Sequence, residues 1–266
     1  MINSNQGTAD VPMAFTIVAT PPGVSPKRVI AVDTGFEGGR SMTGNAFADV
    51  ETIPNVLAKL GFTPDDVDIV VLTHLHFDHA GNFSAFPNAE IFVQRLEFES
   101  WKTVIGAMDD TSVGKRSWKL SSIDVSLIER FDAAVGAGRI TLLDGDKEIA
   151  PGIRCRLAKD SHTFGSQWVE IETPDGPYVV AGDCVYWYMN VERMWPPGYV
   201  QGNPWNLMSV FERMRDLVGA DRIERIVPGH DMQIYARHPS RVIGKNPVAE
   251  IHLAAGERSR IAEPRA

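Results

Sequence analysis

The chain has 266 residues, with 26 Lys and Arg against 34 Asp and Glu, so it carries a net charge of −8. That length suits one large α/β domain or two small ones, either with a substantial core. Hydrophobic residues at 44% and charged residues at 23% are ordinary globular values and exclude wholesale disorder. The acidic balance argues against a nucleic-acid partner, since phosphate binding needs clustered Lys and Arg. No apolar run approaches the roughly 20 residues that cross a bilayer. The opening Met1-Ile2-Asn3-Ser4-Asn5-Gln6 lacks the basic and apolar regions of a signal peptide. A cytoplasmic protein is expected, and Cys155 and Cys184 are too few for a disulfide framework.

In chain order, Met13–Thr20 and Arg28–Asp33 read as strands around a Pro21-Pro22-Gly23 turn. Ile53, Val56, Leu57 and Leu60 follow helical spacing, closed by Gly61. Val67–Thr73 is an apolar run of strand length that leads into a polar cluster. Phe98–Leu120, with Trp101, Met108 and Trp118, is expected to be a mobile segment beside the site. Gln167–Glu172 and Tyr178–Ala181 read as a hairpin around Pro174-Asp175-Gly176. Leu207, Val210, Phe211, Met214, Leu217 and Val218 mark a second amphipathic helix, followed by a strand over Arg222–Val227. No linker interrupts the chain, so a single domain is expected, with a core over about 13–235 and a C-terminal extension over 236–266. The end of that extension, from Glu257, is expected to fray.

The chemistry is concentrated in His74-Leu75-His76-Phe77-Asp78-His79, which holds three of the seven histidines. Residues two apart on an extended chain point to the same side, so His74 and His76 can chelate one ion. Asp78 and His79 follow as the chain turns and can face a second ion. Imidazole and carboxylate donors suit zinc or another borderline divalent metal. Three further candidates stand beside strands: His162 in Asp160-Ser161-His162-Thr163, Asp183 in Ala181-Gly182-Asp183, and His230 in Pro228-Gly229-His230. Five histidines and two aspartates are enough ligands for two ions. Cys184, next to Asp183, reads as a small buried thiol, and His238 and His252 as structural or surface residues.

The order His-x-His-x-Asp-His, His, Gly-Asp, Pro-Gly-His resembles the metallo-β-lactamase superfamily over about residues 13–235. The resemblance implies a four-layer αβ/βα sandwich with a dinuclear metal site. It assigns His74, His76 and His162 to one ion, Asp78, His79 and His230 to the other, and Asp183 to a bridge between them. It places Asp33 in a supporting position. Asp183-Cys184-Val185-Tyr186 further resembles the N-acyl-homoserine lactonases and 4-pyridoxolactonase, in which a tyrosine at that spacing bonds the substrate. Asp160–Ser166 departs from the lactonase pattern, which touches the substrate rim rather than the metals.

What the resemblance implies is a hydrolase that opens a small cyclic ester by attack of a hydroxide shared between two divalent ions. Zinc is expected, and Mn, Fe or Co would fit the same donors. Asp78 and Tyr186 would be catalytic, with Asp78 also shuttling a proton, and Tyr186 and Trp187 would contact a small-molecule substrate. Aromatic residues at Tyr188, Trp195 and Tyr199 suggest an apolar pocket wall, whereas Trp205 reads as core packing. The lactonase resemblance suggests a homodimer. Competing activities are hydrolysis of a thioester, lactam or cyclic imide, or an iron-dependent sulfur dioxygenase.

Overall fold

The computed structural model describes residues 11–21, 23, 25–36, 47–108 and 118–262. Two five-stranded sheets form its centre. The first runs in the order β1 (Thr16–Ala19), β2 (Val29–Val32), β3 (Ile69–Val71), β4 (Glu90–Gln94), β5 (Ile140–Leu143). Its first pair is antiparallel and the rest are parallel. The second sheet contains β6 (Lys147–Ala150), β7 (Ile153–Lys159), β8 (Gly165–Ile171), β9 (Tyr178–Val180) and β10 (Ile226–Val227), adjacent in that order. Only its β9–β10 pair is parallel.

The layering follows from strand periodicity. Along β2, Val29 and Ala31 join one apolar cluster while Ile30 and Val32 join another. Along β3, Val70 faces outward with Leu72 beyond it, and Ile69 and Val71 face the second sheet. Both faces are covered, which is why these segments are continuously apolar in sequence. The outward face of the first sheet packs on α1 (Ile53–Ala58), α3 (Arg95–Gly106) and α4 (Val125–Gly136) through Leu57, Phe98, Leu127 and Phe131. The outward face of the second packs on α6 (Pro204–Val218) through Leu207, Val210, Phe211 and Met214. Helix on sheet, sheet on sheet, and sheet on helix give the four-layer αβ/βα sandwich.

Local signals explain where the main helices begin. Asp124 accepts from the Ser126 amide at the start of α4, and Asn203 accepts from the Trp205 amide at the start of α6, where Pro204 occupies the first turn. A polar stitch joins the sheets at the working end of β3. Gln167 of β8 donates its amide NH2 to the Leu72 carbonyl and its backbone N–H to the Thr73 carbonyl, each at 2.8 Å. Gln94 of β4 donates in turn to Gln167 Oε1.

Four expectations need correction. The strand expected over Arg222–Val227 is a 3-10 turn at Ile223–Arg225 followed by β10. The segment from Phe98 is a regular part of α3 as far as Gly106, with Phe98 and Trp101 buried, because the apolar face of α3 is needed to cover the first sheet. Residues 109–117 lie outside the described residues. Trp205 is 75% exposed, because it precedes the face of α6 that Leu207, Val210 and Phe211 turn inward. The stretch from Glu257 is tied down as far as Ile261: the Arg260 guanidinium lies 4.3 Å over the Phe62 ring and donates to the Leu60 carbonyl, and Ile261 is buried, while residues 263–266 lie outside the described residues.

The last strands form a hairpin, β11 (Ser240–Ile243) with β12 (Asn246–Ala249), preceded by the short helix α7 (Ile234–Arg237). Asn246 anchors it to the Asp49 carbonyl and to Glu51. Among the described residues, no helix is long and apolar enough to cross a membrane. The two aromatic residues around α6 give a direct test of the layering. Phe211→Ala is expected to cost about 3–5 kcal/mol in urea unfolding, whereas Trp205→Ala should change stability by under about 0.5 kcal/mol. Equal losses would contradict the assigned faces.

Candidate metal centre

The sequence-predicted residues meet at one end of the sandwich, each delivered by the end of a strand. His74 and His76 follow β3, and His76 caps the short helix α2 (Phe77–Ala80) that carries Asp78 and His79. His162 sits in the tight β7–β8 turn, closed by the bond from the Asp160 amide to the Phe164 carbonyl. Asp183 follows β9 and His230 follows β10. Those two loops pair through Gly229 N to the Val185 carbonyl and His230 N to the Tyr186 carbonyl. A side chain on Gly229 would put its Cβ 2.8 Å from Asp183 Oδ1, so the Pro-Gly-His step needs glycine for this close approach.

The donor atoms fall into two groups: His74, His76, His162 and Asp183, and Asp78, His79 and His230. Within each group they lie within 4.8 Å of one another. Asp183 faces both. Its Oδ1 is 3.0 Å from His79 Nε2 and 2.9 Å from His230 Nε2, while its Oδ2 is 3.3 Å from His162 Nε2 and 3.7 Å from His74 Nε2. Asp78 Oδ2 completes the second group, 3.6 Å from His79 Nε2 and 3.7 Å from His230 Nε2.

Four of the five imidazoles are also held from outside, and each hold ends in a group that can only accept a hydrogen bond. His79 Nδ1 donates to Asp33 Oδ2 at 2.7 Å, and His230 Nδ1 donates to the Pro12 carbonyl at 2.8 Å. His74 Nδ1 lies 3.0 Å from Thr73 Oγ1, whose own proton goes to Asp33 Oδ2. His76 Nε2 lies 2.7 Å from Gln201 Oε1. These partners fix the tautomers, leaving His74 Nε2, His76 Nδ1, His79 Nε2 and His230 Nε2 bare and turned inward. Asp33 thus serves both groups, and it adopts a left-handed φ of 65° to do so.

Bare nitrogens turned toward one another and toward carboxylate oxygens repel unless positive charge lies among them. His162 Nε2 and His76 Nδ1 face each other at 3.2 Å, and His79 Nε2 and His230 Nε2 at 3.4 Å. His74 Nε2 is buried with no hydrogen-bond partner. The donor set of imidazole and carboxylate is one that divalent cations accept, so the residues fit such ions. Protons are the alternative, and burial distributes them unevenly. Burial, helped by the neighbouring imidazoles, holds His74 and His76 well below the usual histidine value. Burial also opposes charge on His79 and His230, but Asp183 and Asp78, joined by Asp33 for His79, outweigh it and raise both. Asp183 is held well below the usual carboxylate range despite burial, chiefly by His230 and His79.

Several supporting residues carry no sequence signal of their own. Glu97 is fully buried, and among the described residues no Lys or Arg forms an ion pair with it. Its carboxylate accepts from the Leu75 amide, Trp101 Nε1, Thr163 Oγ1 and the Gly165 amide, and so ties the His74–His76 loop to the His162 turn. Four neutral donors are what allow such a burial. A Glu-x-x-x-Trp spacing at the start of a helix would have been the only hint.

The Tyr186 ring lies 5.5 Å from that of His162 and 5.2 Å from that of His230, so it stands over both groups. Burial and the Asp183 and Asp78 carboxylates push its hydroxyl well above the usual tyrosine value, so it remains a donor. Trp187 packs edge-on against Tyr186 and lines a hollow of about 200 Å³ with Met189, Trp195 and Pro196. Tyr188 does not join this wall: it opens the short helix α5 (Tyr188–Arg193), is fully buried, and its hydroxyl meets His238 Nε2 at 3.2 Å. Cys184 is the buried thiol expected, and burial pushes it up to about 12.

The raised His79 and His230 give a prediction of definite sign. The Asp183 and Asp78 carboxylates draw both toward the protonated form when no cation is bound, and a cation needs their bare nitrogens. Adding zinc to chelator-stripped protein in weak buffer near pH 7 should therefore release protons, and uptake by the second group should weaken more steeply than uptake by the first as pH falls. Zinc uptake without proton release would contradict the assignment.

The family model of the metallo-beta-lactamase superfamily matches residues 23–230. An N-acyl homoserine lactonase of Bacillus thuringiensis subsp. kurstaki is 27% identical over 218 residues, covering 77% of each chain. Another, from Azorhizobium caulinodans, is 28% identical over 249 residues, covering 86% of this chain and 87% of that one. A solved N-acyl homoserine lactone hydrolase with N-hexanoyl-L-homoserine at its catalytic metal centre superposes with a TM-score of 0.56 at 25% identity, over 77% of this chain and 78% of that one. Fold, strand-end site and family match agree, and the chain belongs to the metallo-β-lactamase superfamily.

Proposed function

We propose that the protein is a dinuclear metallohydrolase that opens a small lactone, with zinc as the expected metal. The observation that carries this reading is Asp183, whose two oxygens divide between two groups of inward-facing donors. His74, His76, His162 and Asp183 Oδ2 would hold one cation, and Asp78, His79, His230 and Asp183 Oδ1 the other. Two divalent cations supply Lewis acidity for the substrate carbonyl and lower the pKa of a bound water to about 7.

The chain's own groups do the rest. Asp78 presents Oδ2 to His79 and His230, and its second oxygen would take the proton of the attacking water. Tyr186, held protonated, donates a hydrogen bond to the oxyanion that forms or to the ring oxygen that leaves. As the ring C–O bond breaks, Asp78 passes its proton to the departing alkoxide, giving a hydroxy acid. Trp187 and its hollow accommodate the apolar body of the substrate. The similarity to N-acyl homoserine lactonases supports a lactone over a thioester, lactam or imide. The partner is a small molecule, and we further propose a cytoplasmic homodimer.

The test is a hydrolysis screen of lactones, thioesters, lactams and imides, with metal content measured on the same sample. Lactone turnover that is lost on chelation and restored by zinc is expected, with two ions per chain. Turnover confined to thioesters would overturn the substrate class, and oxygen consumption with one iron would overturn hydrolysis. Tyr186→Phe should lower kcat by about 10²-fold with metal content unchanged. Trp187→Ala should raise KM for an apolar lactone and leave kcat nearly constant.

A further inference from the structure

Gln201 lies in the loop before α6 and reaches three parts of the site at once. Its Oε1 is 2.7 Å from His76 Nε2, and its Nε2 donates to the Lys119 carbonyl at 3.1 Å. Its backbone amide donates to the His162 carbonyl at 2.9 Å, joined there by the Gly202 amide. Gly202 presses so closely on the His162 turn that a Cβ there would collide with the Ser161 carbonyl oxygen. Tyr199 in the same loop bonds the hydroxyls of Ser121 and Ser122, and the Ser122 carbonyl accepts from the Phe77 amide. Residues 119–122 are therefore bound both to the Gln201 loop and to the loop that carries His76 and Asp78.

An amide can turn either end toward a histidine, so an amide alone would not choose a tautomer. Here the choice is forced. The Lys119 carbonyl can only accept, so it takes the NH2 end and leaves Oε1 for His76. Oε1 can only accept, so His76 must carry its proton on Nε2 and present a bare Nδ1. The reverse orientation would set Oε1 against the Lys119 carbonyl and NH2 against an unprotonated His76 Nε2, moving the ring N–H to Nδ1, where it would exclude a cation.

We propose that Gln201 is a positioning residue for the first cation: through the Lys119 carbonyl it fixes the tautomer and rotation of His76, and through its backbone it holds the His162 turn. The proposal rests on the reading of the two groups as cation sites. It confines the effect of the amide to the first group, since the outer holds of the second run to Asp33 and Pro12.

Zinc titration of the chelator-stripped full chain tests this, followed by long-range 1H–15N spectra of the imidazoles, which report the two groups separately. The wild type should bind two ions, and failure there would count against the cation sites themselves rather than against Gln201. Gln201→Leu should weaken zinc at His74, His76 and His162 by about 10- to 100-fold, leave zinc at His79 and His230 unchanged, and abolish the His76 Nε2–H signal. Gln201→Glu, which can still accept from His76, should recover most of the loss. Thermal unfolding of each metal-free variant shows whether it is folded. Wild-type affinity at the first group in Gln201→Leu overturns the proposal, as does equal weakening of both groups. Tyr199→Phe, which keeps the ring beside His76 and removes only the hydroxyl that bonds Ser121 and Ser122, should leave the first affinity intact; a loss matching that of Gln201→Leu would assign the effect to loop anchoring and overturn the role of the amide.

Discussion

Everything at the site depends on imidazole nitrogens being kept bare while they face one another. A histidine left alone would rotate or take up a proton, and a cluster of them would push apart. The fold prevents this by giving the outer nitrogens of His74, His76, His79 and His230 a chain of donors and acceptors that ends in a carboxylate or a backbone carbonyl. Such endings cannot donate, so the proton stays outside and the lone pair stays inside. The energetic cost of that arrangement is recovered only when positive charge arrives, which makes the centre a receptor for cations rather than a packed polar core.

The sandwich explains why so many distant residues can converge. Strands β2, β3, β9 and β10 all end at the same edge, and each delivers Asp33, His74, Asp183 or His230 within a few residues of its last ladder bond. Because both faces of these strands are buried, their register cannot slip without moving apolar side chains into the wrong layer. The precision needed by the donors is thus inherited from the core, with Gln167 and Glu97 transferring it across the gap between sheets and loops.

Much of this was legible in the chain. The His-x-His-x-Asp-His spacing reflects strand and turn geometry directly, and Gly-Asp and Pro-Gly-His stand at strand ends where a glycine is physically required. Alternating and helical apolar patterns located β2, β3, β8, β9, α1 and α6, because local periodicity and burial agree there. The supporting set was not legible. Thr73, Glu97, Gln201 and the Pro12 carbonyl are ordinary groups whose importance comes from contacts made far away in sequence. Trp205 was misplaced for a related reason: its residue type favours burial, but its position before the inward face of α6 decides otherwise. Trp101 lies in a helix that covers the sheet, and composition alone does not separate such a residue from a pocket wall.

The central claim is that two groups of donors share Asp183. Anomalous diffraction from crystals loaded with zinc addresses it most directly. The account predicts two peaks, one enclosed by His74 Nε2, His76 Nδ1, His162 Nε2 and Asp183 Oδ2, the other by Asp78, His79 Nε2, His230 Nε2 and Asp183 Oδ1. A single peak, or ions ligated through the opposite ring nitrogens, would contradict it.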